Sequence, residues 1–265
     1  MRSRILRLLA ASAFVAVFAV PAGATAADSH QCSNVLSALP VGTSSCPGVR
    51  PGALYTRGSD GIGCSMSFMF RGSDGYNYAA SAGHCIWATQ TVGTAAGKEE
   101  KWGPGDGMET TDSSGTRIGR FAYGAWTDDR DFSLIRLEPG VTPSAAMCYF
   151  GGPTSMYTAH SSTPVFIKHF GNGLLFGDVV PARTAVAEDT SDPMNVYALS
   201  GSAPGDSGSG VITGDGQALG TLVALDLLGR TIITRLDASV ARAEQVTGIR
   251  FTLLTAALNP DVVSL

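Results

Sequence analysis

The 265 residues are 44% hydrophobic and only 15% charged, a balance that supports a buried core and excludes a chain disordered by composition. A formal charge of −4 provides no basic face, so nucleic acid is excluded as an expected partner. Thirty-three glycines and 13 prolines imply many turns, which favours an all-β fold over a helical one.

Residues 1–27 read as a secretory signal: Arg2, Arg4 and Arg7 precede an apolar run from Leu8 to Val20, and small residues follow. Cleavage after Ala24, Ala26 or Ala27 fits equally well, and the run is short for a membrane span. Removing the three arginines from a formal −4 leaves the mature chain at −7. No other segment approaches spanning length, so the mature form is expected to be secreted and free of the membrane. Export makes disulfides available. The five cysteines, Cys32, Cys46, Cys64, Cys85 and Cys148, allow at most two bridges and leave one thiol over. Their spacing matches no zinc site, and no metal or cofactor is expected.

Residues 28–60 form an arm or pro-segment, broken by Pro40, Pro47 and Pro51 and pinned at least in part through Cys32 and Cys46. Ile62 to Phe70 and Tyr76 to Ala82 are strand-like around the turn Gly72-Ser73-Asp74-Gly75, and this hairpin delivers Ser81-Ala82-Gly83-His84-Cys85 at its end. Residues 86–120 are rich in glycine and threonine and carry the loop Lys101-Trp102-Gly103-Pro104-Gly105-Asp106-Gly107; the acids Glu99, Glu100, Asp106, Glu109 and Asp112 lack EF-hand spacing and suit a solvated loop face. Asp128, Asp129 and Asp131 precede the apolar strand Phe132 to Leu137. Asp131 adjoins the apolar run, so it is the acid drawn inward, where a histidine N–H would satisfy it.

Further short strands are expected at Pro164 to Phe170, Leu174 to Val180, Asn195 to Leu199, Gly210 to Thr213, Ala218 to Leu225 and Thr231 to Arg235, spacing that suits a sandwich or barrel. Asp237 is placed to cap a helix from Ala238 to about Val246, stopped by Gly248. The apolar tail from Ile249 to Leu265 is expected to be a strand or a docked extension.

The chemistry concentrates in Pro204-Gly205-Asp206-Ser207-Gly208-Ser209-Gly210. Glycines on either side let backbone N–H groups crowd a reaction centre, and those of Gly205 and Ser207 would form an oxyanion hole. A serine hydroxyl needs a base. The chain supplies His84, Asp131 and Ser207 in that order. α/β-hydrolases run serine, acid, histidine and subtilisins run acid, histidine, serine, so both are disfavoured, as is an esterase of unrelated fold lacking G-x-S-x-G.

Ala82-Gly83-His84-Cys85, Asp131-Phe132-Ser133-Leu134-Ile135-Arg136-Leu137 and Gly205-Asp206-Ser207-Gly208 together resemble the chymotrypsin-type (trypsin-like) serine proteases, more closely their secreted actinobacterial members. The resemblance covers roughly Gly61 to Gly248. It implies two packed antiparallel β-barrels, residues 61–145 carrying His84 and Asp131 and residues 146–237 carrying Ser207, followed by a helix and tail at 238–265. It implies a serine endopeptidase, monomeric, acting on protein or peptide substrates. His84 would be general base then acid, Asp131 its orienting partner and Ser207 the nucleophile of an acyl-enzyme mechanism. It also pairs Cys64 with Cys85. The alternative within the same fold is a catalytically silent homologue used for binding.

Departures from the family pattern set further expectations. No Ile-Val-Gly-Gly stretch is present to begin a mature chain, so Asp206 must find a partner other than an N-terminal amine. Cys148 is expected to pair with Cys32 or Cys46. The substrate pocket has Gly201, followed by Ser202, where trypsin-like members carry an aspartate; its uncharged base favours an apolar or small side chain, unless Asp226 on the far wall reverses the preference.

Overall fold

The computed structural model describes residues 46–58, 60–87, 97–173 and 181–259. The signal segment, the arm up to residue 45 with Cys32, the expected strand at 174–180 and residues 260–265 lie outside the described residues.

Eight strands come first: β1 (Leu54–Arg57), β2 (Ile62–Ser65), β3 (Met69–Gly72), β4 (Asn77–Ser81), β5 (Lys98–Lys101), β6 (Glu109–Asp112), β7 (Arg117–Trp126) and β8 (Asp131–Leu137). A single-turn helix α1 (His84–Trp87) follows β4. The second group is β9 (Ser155–Met156), β10 (Val165–Phe170), β11 (Ala182–Asp189), β12 (Asn195–Leu199), β13 (Gly210–Thr213), β14 (Gln217–Leu225) and β15 (Thr231–Arg235). The chain ends in α2 (Leu236–Thr247) and β16 (Phe251–Leu253).

The second group closes on itself, because β13 pairs with both β10 and β14 in the circuit β13-β10-β11-β12-β15-β14. The first group runs β16-β3-β4-β8-β7-β6-β1-β2, with β5 added to β7, and curls as a half-barrel. Met66–Phe68 span its gap: Met66 N–H donates to Ala53 O at 2.8 Å and Ser67 N–H to Ala80 O at 2.7 Å. The fold is therefore all-β with a helix near the C-terminus, one barrel closed and one open. Tyr55, Phe68, Phe70, Phe121 and Phe132 fill the first core; Ile167, Val196, Val211, Leu219 and Ile233 fill the smaller second core.

Four local expectations change. Residues 54–57 are strand rather than irregular arm, because Leu-Tyr-Thr is strand-forming and Tyr55 is fully buried. The glycine- and threonine-rich stretch, where no strand was expected, contains β5, β6 and the start of β7, whose alternation is interrupted by a bulge between Phe121 and Tyr123. The expected strand at 62–70 is divided in two by Met66–Phe68. Asp237 does not cap α2: the N-cap is Arg235, without a side-chain cap bond, and Asp237 instead accepts from the buried Arg235 guanidinium at 3.0 and 2.9 Å. Gly248 ends the helix as expected, in the left-handed conformation with its N–H on Glu244 O at 2.9 Å. Part of the apolar tail is β16, which pairs with β3.

Cys46 and Cys148 are bridged with Cα atoms 6.0 Å apart, tying the start of the described chain to the segment after β8. Cys64 and Cys85 form the second bridge and fasten α1 to β2. On the chain-entropy model, cross-links closing loops of these sizes contribute roughly 3–5 kcal/mol each.

Candidate active site

His84 opens α1 at the end of the β3–β4 hairpin, and Asp131 opens β8, beside β4. The Asp131 carboxylate takes two hydrogen bonds from one residue: Oδ1 accepts the His84 backbone N–H at 2.8 Å, and Oδ2 lies 2.7 Å from His84 Nδ1. One bond fixes the main chain and the other the ring. With a carboxylate at Nδ1, the neutral imidazole carries its proton there and keeps its lone pair on Nε2. The Trp126 ring lies 6.1 Å from the imidazole, and Nε2 lies 3.9 Å from Cys85 Sγ.

Ser207 sits on the loop between β12 and β13, where the two sheets meet. Its carbonyl accepts the Ser65 N–H of the first sheet at 2.8 Å, and the Gly208 N–H donates to Leu222 O of the second sheet at 2.8 Å. Gly205 and Gly208 have φ of 103° and 91°, a backbone region open to glycine. A side chain at 208 would also strike Ser65 O and Ser81 Oγ. Among the described residues, neither the Gly205 nor the Ser207 N–H donates a hydrogen bond. The structure thus brings His84 and Asp131 into direct contact and Ser207 to the same sheet interface. No hydrogen bond joins Ser207 Oγ to His84 among the described residues.

Asp206 points the other way, into full burial. Arg183 of β11 grips it through both guanidinium nitrogens, with Nη1 at 2.7 Å from Oδ2 and Nη2 on Oδ1; the Gly173 N–H at 2.8 Å and the Ala203 N–H at 2.9 Å complete the set. Arg183 also donates to Gly201 O at 2.8 Å and to Gly171 O at 3.3 Å. Here is the partner that the sequence required for Asp206. Nothing near Arg183 in the sequence marks it, because it lies in a strand of small and charged residues, ARTAVAED, that β-propensity does not reveal.

Gly201 is exposed and its carbonyl faces Arg183; Ser202 is buried, with its Oγ 2.9 Å from Thr231 Oγ1. Asp226 is committed to its own turn. Its carboxylate accepts Leu228 N–H, Arg230 N–H and Arg230 Nε at 2.9, 2.8 and 2.7 Å.

Behind the Ser207 loop lies His169, fully buried, its Nε2 3.0 Å from Ser200 Oγ and its Nδ1 without a hydrogen-bond partner among the described residues. Burial, reinforced by the Arg183 charge and opposed by Asp206, pushes its imidazole from 6.5 down to about 3.

Two consequences are measurable. Arg183→Met strands the Asp206 charge and should cost about 3–5 kcal/mol in urea unfolding, and adding Asp206→Asn should recover part of that loss. Equal losses in the single and double variants would contradict this assignment. Between pH 6.5 and about 3, an unfolded chain binds a proton on residue 169 that the native protein refuses, so stability falls as pH falls through that window. The wild type should therefore lose stability more steeply than His169→Gln, by about 1.4 kcal/mol per pH unit; parallel slopes would be the contrary result.

No protein-family model and no curated protein matches the sequence. Solved structures do match. A Nocardiopsis protease superposes with a TM-score of 0.50 at 17% identity, over 77% of this chain and 99% of that one. An alpha-lytic protease homologue gives 0.48 at 15% identity over 77% and 98%. A protease of M. tuberculosis in its active form gives 0.48 at 13% identity over 91% and 95%. Strand order, closed second barrel and superposition agree: the chain has the fold of the chymotrypsin-like serine proteases.

Proposed function

We propose that the chain is a secreted serine endopeptidase that hydrolyses peptide bonds in protein or peptide substrates and acts as a monomer. The observation that carries this reading is the double hydrogen bond from His84 to Asp131, at 2.8 and 2.7 Å, beside the interface that holds the Ser207 loop. A carboxylate bound to both the main chain and Nδ1 leaves the imidazole one orientation and one basic nitrogen, which a general base requires.

In the proposed cycle Ser207 Oγ attacks the substrate carbonyl and passes its proton to His84 Nε2. The oxyanion that forms is received by the Gly205 and Ser207 N–H groups, which are free of other acceptors among the described residues. His84 then returns the proton to the leaving amine, the acyl group remains on Ser207, and water releases it by the same steps in reverse. Catalytic hydrogen bonds are often long before substrate binds, so the resting separation of Ser207 from His84 fits a free enzyme. That separation is also the observation favouring a silent homologue of the same fold. Secretion is supported by the N-terminal signal pattern and by two disulfides.

A fluorogenic peptide library, favouring apolar and small residues before the cleaved bond, tests the reading. Ser207→Ala and His84→Ala should remove nearly all turnover with unchanged folding, and Asp131→Asn should lower kcat by about 10⁴. Turnover that survives in Ser207→Ala would overturn the assignment, and a folded wild type that cleaves nothing would favour the silent homologue.

A further inference from the structure

Ser65, the last residue of β2, is fully buried and lies on the sheet opposite Ser207. Every polar atom it has is used. Its Oγ donates to Gly205 O at 3.0 Å and accepts from Asn172 Nδ2 at 3.0 Å and Asn172 N–H at 3.3 Å. Its N–H donates to Ser207 O at 2.8 Å. Its carbonyl accepts from Ser81 Oγ at 2.9 Å, and that hydroxyl in turn accepts from Tyr55 OH at 2.9 Å. Asn172 is itself fixed by a second bond, from Nδ2 to Gly52 O at 2.8 Å. A hydroxyl offers one proton and two lone pairs, so Ser65 Oγ is saturated.

The two carbonyls that Ser65 holds, Gly205 O and Ser207 O, bracket Asp206. Gripping a carbonyl fixes the plane of its peptide. The Gly205 carbonyl is the one at risk, because glycine at φ of 103° has no side chain to resist reorientation. From the other side, Asp206 is held by Arg183. The N–H groups of Gly205 and Ser207 are thus aimed by restraints from both sheets. The backbone bond to Ser207 O would survive any residue at 65; the bond to Gly205 O needs a side-chain donor.

We propose that Ser65 is a positioning residue for the oxyanion hole, its hydroxyl holding the Gly205–Asp206 peptide so that the Gly205 and Ser207 N–H groups converge on one point. The proposal rests on the reading of Ser207 as the nucleophile. It is fully buried and acts through the loop rather than on substrate.

The test compares Ser65→Ala with Thr221→Val, which removes another buried hydrogen bond between the sheets, Thr221 Oγ1 to Ser67 Oγ at 3.0 Å, one that reaches neither Gly205 nor Asp206. Rates are referred to sites titrated with a fluorophosphonate, so that a variant which folds in part still yields a rate per competent site. Ser65→Ala should lower kcat about tenfold with KM within about twofold, the pattern of an interaction made only in the transition state. It should weaken a peptide aldehyde, which adds to Ser207 Oγ as a tetrahedral adduct, by the same factor. Thr221→Val should leave both within about twofold at a similar loss of stability. If Ser65→Ala yields too few sites to titrate, Ser65→Gly, which also lacks the hydroxyl, serves in its place. Unchanged kcat per site in the serine variant, or an equal fall in Thr221→Val, overturns the positioning role while leaving Ser207 as nucleophile. A wild type that neither labels nor turns over removes both readings together.

Discussion

A single buried ion pair, Arg183 with Asp206, constrains everything around the candidate site. A carboxylate taken wholly out of water is tolerable only when its charge is matched and its oxygens are bonded. Asp206 meets both conditions with two guanidinium nitrogens and two backbone N–H groups. The partners come from β11, from the Gly173 turn and from its own loop, so one side chain draws three segments of the second barrel to one point. Ser207 is the next residue, and its carbonyl accepts the Ser65 N–H of the first sheet.

The first sheet closes the arrangement from the opposite side. Ser65 reaches the same loop through its N–H and its hydroxyl, and the adjacent Cys64 is bridged to Cys85, next to His84. Two consecutive residues of β2 therefore govern both halves of the site, one through a disulfide behind the histidine and the other through hydrogen bonds to the serine loop. The Cys46–Cys148 bridge ties the start of the described residues to the segment after β8, and β16 pairs with β3 of the first sheet. On this view the N-terminal amine is not needed to order the loop, because Arg183 supplies the positive charge internally.

The candidates His84, Asp131 and Ser207 stand out in the sequence because each sits in a short local signature: a strand end before Gly83-His84, an acid abutting an apolar run, a serine between glycines. The bridge of Cys148 to Cys46 was legible as one of two choices. Arg183, Ser65, Asn172 and His169 were not, since each acts by long-range placement. Ser65 and Asn172 are 107 positions apart and meet only because the sheets pack. Strand β7 was missed because a bulge shifts its alternation, and β11 because its residues are small or charged. Asp226, whose position in the sequence suggested a pocket charge, is paired with Arg230, four residues on.

The most direct measurement is covalent labelling of the secreted, otherwise unprocessed chain by a fluorophosphonate, with the modified residue located by peptide mass spectrometry. Modification confined to Ser207, lost on heat denaturation and in Ser207→Ala, is the expected result and would mean that Arg183 and Ser65 suffice to assemble the site. A folded protein that stays unlabelled, or that is modified at a different serine, would contradict it.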